Sequence, residues 1–368
     1  MNQRGILDGV NVLELASVLA GPSVGMFLAE LGASVTKIEN PRTGGDVTRS
    51  WKLPSESKEK PTSSYYNAVN WGKSIDMVDL KSVEGLKTVS SLIQKSDIIL
   101  VSFKPGDAEK LGLEYEAVTK IRPDIIYASI TGYGDDDPRT AYDALLQAES
   151  GFMHLNRKPG ASPLKMPVAL IDILAAHQLK QLVLVAWIQK LKTGEGSHVE
   201  VSLFESAVSS LANQAGAWLY ANTEPEPMGS EHPHIYPYGS AFKTGDGRSI
   251  VLAVGNDRQF QALCEILNIN NISEQDDFST NPARSANRNA LREVLESAFM
   301  NIEDSESLLG DLHAKMVPAA IIRKVGEAVE LYCGSFHTHK DGNLKGIPTI
   351  TGRINGKPAA ASLSFEPQ

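Results

Sequence analysis

The apolar run Val10–Ala16 predicts a buried strand at the start of the chain. From Pro22 to Leu31 the pattern changes to that of a short helix, with Pro22 suited to its first turn and Gly32 to its C-terminal cap. Ser34–Glu39 reads as a second strand, which gives a βαβ opening. The pattern then recurs. Leu86–Gln94 reads as a helix, Asp97–Phe103 as a strand, Tyr115–Ile121 as a helix and Asp124–Ile130 as a strand. Alternating strands and helices predict a mostly parallel sheet covered on both faces. The connections Pro41–Pro61 and Tyr133–Ala141, rich in Gly, Pro and charge, read as functional loops on that scaffold. A short apolar run from Pro167 to Asp172 leads into a helix reaching about Lys192, apolar on nearly all sides. It stops at Thr193-Gly194-Glu195-Gly196. Val199–Leu203 resumes as a strand, followed by one helix over Glu205–Tyr220. Asn222–Pro227 breaks the pattern and marks a domain boundary. Beyond it, Ser249–Val254 reads as a strand, and Arg258–Leu267 and Ala286–Asn301 as helices. From Gly334 the chain has strand-and-turn character and is expected to return to the first domain.

Length and charge narrow the function. At 368 residues the chain exceeds the roughly 250–300 that one core serves, so two domains are expected. With 35 basic against 44 acidic residues the net charge is −9, which argues against a partner that is nucleic acid or an anionic membrane. Cys264 and Cys333 are too few and too far apart for a disulfide framework or a zinc site. Met1–Gly5 opens without a long apolar core, so no signal peptide is expected. The apolar run closest to membrane-spanning length, Ile173–Ile188, is interrupted by His177, Gln178, Lys180 and Gln181. A cytoplasmic protein is therefore expected.

Several chemistries lack their motifs. The first βα turn reads Ala20-Gly21-Pro22-Ser23, without the glycines that admit a pyrophosphate. Glu39, placed where a ribose-binding acid would sit, is therefore better read as a solvated strand end. There is no Gly-x-Ser-x-Gly, no Walker loop and no His-Glu-x-x-His. The pairs His232/His234 and His337/His339 lack further metal ligands nearby, so no metal is expected. Positive charge does gather around the first-domain strands: Arg42, Arg49, Lys73, Lys104, Lys110 and Arg139. Loops after parallel strands face the ligand crevice, so this cluster suits a phosphorylated ligand as well as it suits ordinary surface scatter. Asp172 stands where the apolar run meets the buried helix. Two compatible readings are open for it: a helix N-cap, or a carboxylate nucleophile among apolar neighbours at the positive end of a helix.

Taken in order, the motifs resemble the class III coenzyme A transferases of CaiB/BaiF type, a family related to the alpha-methylacyl-CoA racemases. The resemblance opens with Val12-Leu13-Glu14-Leu15-Ala16, Ala20-Gly21-Pro22 and Leu28-Ala29-Glu30-Leu31-Gly32-Ala33. It continues through Lys37-Ile38-Glu39, Gly45-Asp46-x-x-Arg49, Asn70-x-x-Lys73-Ser74 and Phe103-Lys104-Pro105-Gly106. Gly132-Tyr133-Gly134, Tyr142-Asp143 with Gln147, Lys192-Thr193-Gly194-x-Gly196 and His232-Pro233-x-Ile235-x-Pro237-Tyr238 complete it. It covers about residues 5–330. The loop Asp135-Asp136-Asp137-Pro138 departs from the family's usual Gly-Pro.

The resemblance implies that Asp172 is the nucleophile that takes coenzyme A from an acyl-CoA thioester and passes it to a carboxylic acid. It implies that Val18, Arg42, Lys73, Phe103, Lys104, Lys110 and Arg139 hold the coenzyme. The segment Gly229–Tyr238, with His232 and Tyr238, is similar to a loop that covers the site. Arg49, His232 and Tyr238 are candidates for recognising a second carboxylate. The implied fold is a Rossmann-like large domain (residues 1–221 and 334–368), a smaller α+β domain (228–333) and an interlocked homodimer. The breaks near Ala221–Pro227 and Lys340–Gly346 suit the linkers. No permanently bound cofactor is implied. The related racemases carry a His where this chain has Tyr142, which leaves racemisation, and a silent CoA-binding protein, as alternatives.

Overall fold

The structure, a computed structural model, describes residues 5–339, 344–360 and 363–365, so part of the expected linker Lys340–Gly346 lies outside the described residues. The chain divides into two compact units, one of residues 1–153, 165–224 and 334–368 and the other of residues 154–164 and 225–333.

The first unit is built on a six-stranded sheet of β1 (Asn11–Leu15), β2 (Ser34–Glu39), β3 (Lys73–Met77), β4 (Ile98–Val101), β5 (Ile126–Thr131) and β6 (Ser197–Ser202). The order is β3-β2-β1-β4-β5-β6, and every pairing is parallel. The chain runs outward from β1 to β3 and then outward again from β4, so β1 and β4 flank a switch point above their C-terminal ends, where open α/β sheets bind ligands. Because successive strand side chains point to opposite faces, β1 sends Val12 into one core and Leu13 and Leu15 into the other. The Val12 core includes Val24 and Leu28 of the Ala20–Glu30 helix and Ile171, Ala175, Leu179 and Val183 of the Leu170–Thr193 helix. The opposite core is closed by Val89 and Ile93 of the Val83–Ile93 helix and by Val118 of the Tyr115–Ile121 helix. Burial on both faces explains why β4, Ile-Ile-Leu-Val, is a continuous apolar run rather than an alternating one.

The sequence reading needs three adjustments here. The single helix expected over Glu205–Tyr220 is two, Leu203–Ser210 and Asn213–Ala221, broken where Ala212 takes a positive φ of 48°. β6 starts at Ser197, two residues before the expected Val199. The Leu170–Thr193 helix is long and apolar enough to span a bilayer by composition, yet Ile171, Ala175, Ala176, Leu179, Val183 and Ala186 are buried in the first unit.

The C-terminal segment is held to the Ala20–Glu30 helix by one buried carboxylate. Glu30 accepts hydrogen bonds from Thr349 N–H (2.7 Å), Thr349 Oγ1 (2.6 Å), Ile350 N–H (3.1 Å) and His337 Nε2 (2.9 Å). His337 Nδ1 accepts from Leu363 N–H at 3.0 Å, which fixes the tautomer that donates to Glu30.

The second unit has an antiparallel sheet of β7 (Tyr238–Lys243), β8 (Ser249–Ala253) and β9 (Ala319–Ile321). Its core joins Phe242, Ile250 and Leu252 to Phe260, Leu295, Phe299 and Leu312 from three helices, Asp257–Ile266, Arg288–Met300 and Ser305–Ala314. Arg284 is fully buried and spends its guanidinium on Tyr236 O, Phe278 O and Asp257 Oδ1.

Candidate active site

The Leu170–Thr193 helix begins after Pro167-Val168-Ala169, two residues before Asp172. Asp172 is therefore in the first helical turn and is not the N-cap; Ala169 is, without a side-chain cap bond. The capping is done from another helix. Asp143, first residue of the Asp143–Glu149 helix, accepts the Ile171 N–H through Oδ1 at 2.8 Å. Its Oδ2 accepts Gln147 Nε2 at 2.7 Å, and Gln147 Oε1 accepts Met166 N–H at 2.8 Å. Together these bonds fix the strand of chain that delivers Asp172. Relieved of capping, the Asp172 carboxylate makes no hydrogen bond among the described residues. Burial, with the like charge of Asp143 adding to it, pushes its pKa up to about 7. A desolvated carboxylate at a helix N-terminus, without donors to stabilise its charge, is a far better nucleophile than one in water. Asp143 belongs to the Tyr142-Asp143 motif but was not among the expected site residues; its spacing to Gln147, one helical turn, was the available signal.

Above the switch point lies a cleft of about 550 Å³. Ser17 after β1, Gly44–Val47, Arg49 and Ser50 after β2, Asp79–Lys81 after β3 and Ser102–Phe103 after β4 line it. Its floor is a buried charge network. Lys37 Nζ contacts Glu14 Oε1 and Asp46 Oδ2, both at 3.0 Å, and donates to Ala16 O at 2.8 Å. Burial alone lowers the Lys37 pKa, but Glu14 and Asp46 outweigh it and hold the ammonium above its ordinary value. Asp46 Oδ2 also accepts the Val18 N–H at 3.2 Å, which holds the β1 turn where Val18 takes φ 71°. Gly25 is required beside this network, because a Cβ there would meet Glu14 Oε2 at 1.8 Å.

Two sequence readings change in this cleft. Glu39 is 3% exposed and is no solvated strand end: it takes Arg49 Nε at 2.6 Å and Nη2 at 3.2 Å, the Tyr66 hydroxyl at 2.7 Å and the Asp46 N–H at 2.9 Å. That bidentate pair already occupies Arg49, the candidate for a substrate carboxylate. Lys73, expected to precede the segment Ser74–Leu80, opens β3 and is buried. Its ammonium lies 2.8 Å from Glu14 Oε2 and donates to Pro22 O and Asn70 Oδ1. Burial, opposed by Glu14, lowers its pKa to about 8. This geometry gives Lys73 a place in the framework beneath the cleft.

The remaining cations stand on loops and short helices beyond the C-terminal ends of the strands, in loose exposed pairs. Arg42 contacts Asp79 at 2.6 Å, Lys110 contacts Asp107 at 2.7 Å, and Lys104 donates to Thr140 Oγ1 at 3.0 Å. Arg139 contacts Asp137 and Glu149 and lies 3.9 Å from the Tyr133 ring centroid. Exposed pairs of this kind are screened by solvent and are readily exchanged for other partners. Phe103 lines the cleft itself, as do Lys37 and Lys81, which the sequence reading did not single out.

The segment from Gly229 to Tyr238 belongs to the second unit. Gly229 N–H donates to Arg157 O at 2.9 Å and His232 N–H to Tyr238 O at 3.0 Å, with the His232 and Tyr238 rings 5.5 Å apart. Glu231 ties it further to Arg288 and Arg292.

The chain is similar to known proteins over most of its length. The family model described as CoA-transferase family III matches residues 7–367. The succinate–glutarate CoA-transferase of Agrobacterium fabrum is 37% identical over 332 residues, 89% of this chain and 82% of that protein. The succinyl-CoA:mesaconate CoA-transferase of Haloarcula hispanica is 33% identical, over 88% of this chain and 82% of its own length. Among solved structures, a CaiB/BaiF family protein from Brucella suis superposes with a TM-score of 0.90 at 34% identity, covering 100% of this chain and 97% of that one.

Proposed function

Because the chain belongs to CoA-transferase family III, we propose that it carries coenzyme A from an acyl-CoA donor to a dicarboxylic acid through a covalent thioester on Asp172. The observation that carries the reading is the Asp172 carboxylate itself: half-buried, without a hydrogen bond among the described residues, in a helix's first turn and beside Asp143.

The Asp172 carboxylate attacks the thioester carbonyl and expels CoA thiolate, leaving a mixed anhydride. The thiolate returns to the aspartyl carbonyl, the donor acid leaves as carboxylate, and an aspartyl-CoA thioester remains. The acceptor carboxylate attacks that thioester and again frees the thiolate. Attack of the thiolate on the acceptor's acyl carbon then gives the new acyl-CoA and restores Asp172. No proton is consumed or released overall. The chain's own part is to hold thioester and carboxylate together and to keep water from the anhydrides. The cations at the strand ends suit the coenzyme's phosphates, and Phe103 suits its apolar portion. The dicarboxylic class comes from the relatives, whose named acids are succinate, glutarate and mesaconate.

Tyr142 is 59% exposed and is a poor proton carrier at neutral pH, which speaks against racemisation. The direct test incubates the protein with succinyl-CoA and glutarate and follows both thioesters by chromatography. Glutaryl-CoA appearing in equal amount with succinate is the expected outcome. Free CoA accumulating without glutaryl-CoA contradicts the proposal.

A further inference from the structure

Two acids stand at the point of attack in the first unit, and a lysine stands beside them. Asp143 Oδ1 accepts the N–H of Ile171, the residue before Asp172, at 2.8 Å, and Asp143 Oδ2 lies 3.8 Å from Lys165 Nζ. A single carboxylate group therefore separates the start of the nucleophile's helix from the ammonium. Among the described residues, Lys165 is the one cation within ion-pair distance of either aspartate.

The ammonium is anchored without being saturated. Lys165 Nζ donates to Met166 O at 2.8 Å and to Pro167 O at 3.3 Å. The same segment is held by Gln147, whose Nε2 donates to Met166 O and Val168 O, so the place of the ammonium is set by a fixed stretch of backbone. An ammonium has three N–H groups. Among the described residues the third has only Asp143 Oδ2, at a distance too long for a hydrogen bond. The Lys165 side chain is 38% exposed, so an arriving ligand can reach that N–H.

Charge gives the cation a task. A dicarboxylic acid brings two negative charges to a place that already holds Asp143 and Asp172. After burial, the charges of Asp172 and Asp143 are the largest causes that hold the Tyr65 phenol above its ordinary pKa, so their field extends across the site. Like charges at such separations repel, and a dianion is disfavoured there unless a cation offsets it. Arg49, the candidate read from sequence for a second carboxylate, is occupied by Glu39.

Resting on the reading of Asp172 as nucleophile and of a dicarboxylic acid as substrate, we propose that Lys165 pairs with the acid's far carboxylate and so selects diacids over acids with an uncharged end. One carboxylate reacts at Asp172 while the other takes the third N–H of Lys165, a span that a short diacid bridges. Lysine is a point charge on a flexible stem, so Lys165 discriminates by charge and tolerates succinate and glutarate alike. A site built to pair with a charged group rejects the analogue that lacks it.

Initial rates of glutaryl-CoA formation from succinyl-CoA, measured against glutarate and against its monomethyl ester as acceptors, test this on the intact protein. Lys165→Met should raise KM for glutarate about tenfold or more, with a smaller change in kcat. The preference for glutarate over the ester, in kcat/KM, should shrink by a similar factor. Lys165→Arg, which keeps the charge, should recover most of the loss, and both variants are checked for fold by circular dichroism. A wild-type protein that forms no glutaryl-CoA overturns the reading of the reaction and this proposal with it. Where the wild type does form it, a Lys165→Met variant with unaltered KM, or one impaired equally toward glutarate and the ester, overturns the role of Lys165 alone.

Discussion

Asp172 and Asp143 divide between them two tasks that one aspartate at a helix start often combines. Asp143 caps the Ile171 amide and is held by Gln147, whereas Asp172 receives no hydrogen bond among the described residues and has a pKa raised by burial and by its neighbour. From sequence, position alone left both cap and nucleophile open for Asp172, because the carboxylate that settles the capping, Asp143, lies 28 residues before Ile171 along the chain. The division has a consequence for pH dependence. The ionised form is the nucleophile and its pKa is raised, so activity falls as pH drops through about 7. kcat/KM for the acyl-CoA donor should decline about tenfold per pH unit below that point and level off above it. Asp143→Asn keeps an oxygen for Ile171 while removing the like charge, so it should move the midpoint down, though burial keeps it above the ordinary carboxylate range. A midpoint that stays in place or rises in the variant contradicts this electrostatic account.

At the scale of elements, the parallel sheet was legible because the strands around β1 and β4 are buried on both faces and their sequences are correspondingly apolar. The helix break at Ala212 was not, since no Gly or Pro marks it and the apolar pattern runs through it. The charged residues were less legible for a related reason. Glu39 reads from sequence as a solvated strand end, and only the fold shows it buried against Arg49 and shows Glu14, Lys37 and Lys73 meeting beneath the cleft. Glu14 neutralises two buried ammonium groups, Lys37 at 3.0 Å and Lys73 at 2.8 Å. Removing one member of a buried set leaves charge uncompensated, so Glu14→Gln should destabilise the protein by about 3–5 kcal/mol in urea denaturation. It should also loosen the Val18 turn, which Asp46 holds through the same network. A loss under about 1 kcal/mol would mean that the network contributes little to the fold.

For the whole molecule, the ordered series of weak motifs carried more than any single one, and the family match over residues 7–367 agrees with it. The cation cluster was the least secure inference from composition. The structure separates it into the exposed Arg42, Lys104, Lys110 and Arg139 at the strand ends and the buried Lys73 below. A transferase of the proposed kind must store coenzyme A on the protein between its two half-reactions, and this requirement distinguishes it from a hydrolase, a racemase or a silent binder. The most direct measurement is the intact mass of the protein after brief mixing with succinyl-CoA in the absence of an acceptor. The account predicts a gain equal to coenzyme A less one water, discharged on adding glutarate and absent from Asp172→Asn. Transfer to glutarate at the full rate by Asp172→Asn, or the same adduct on that variant, would contradict it.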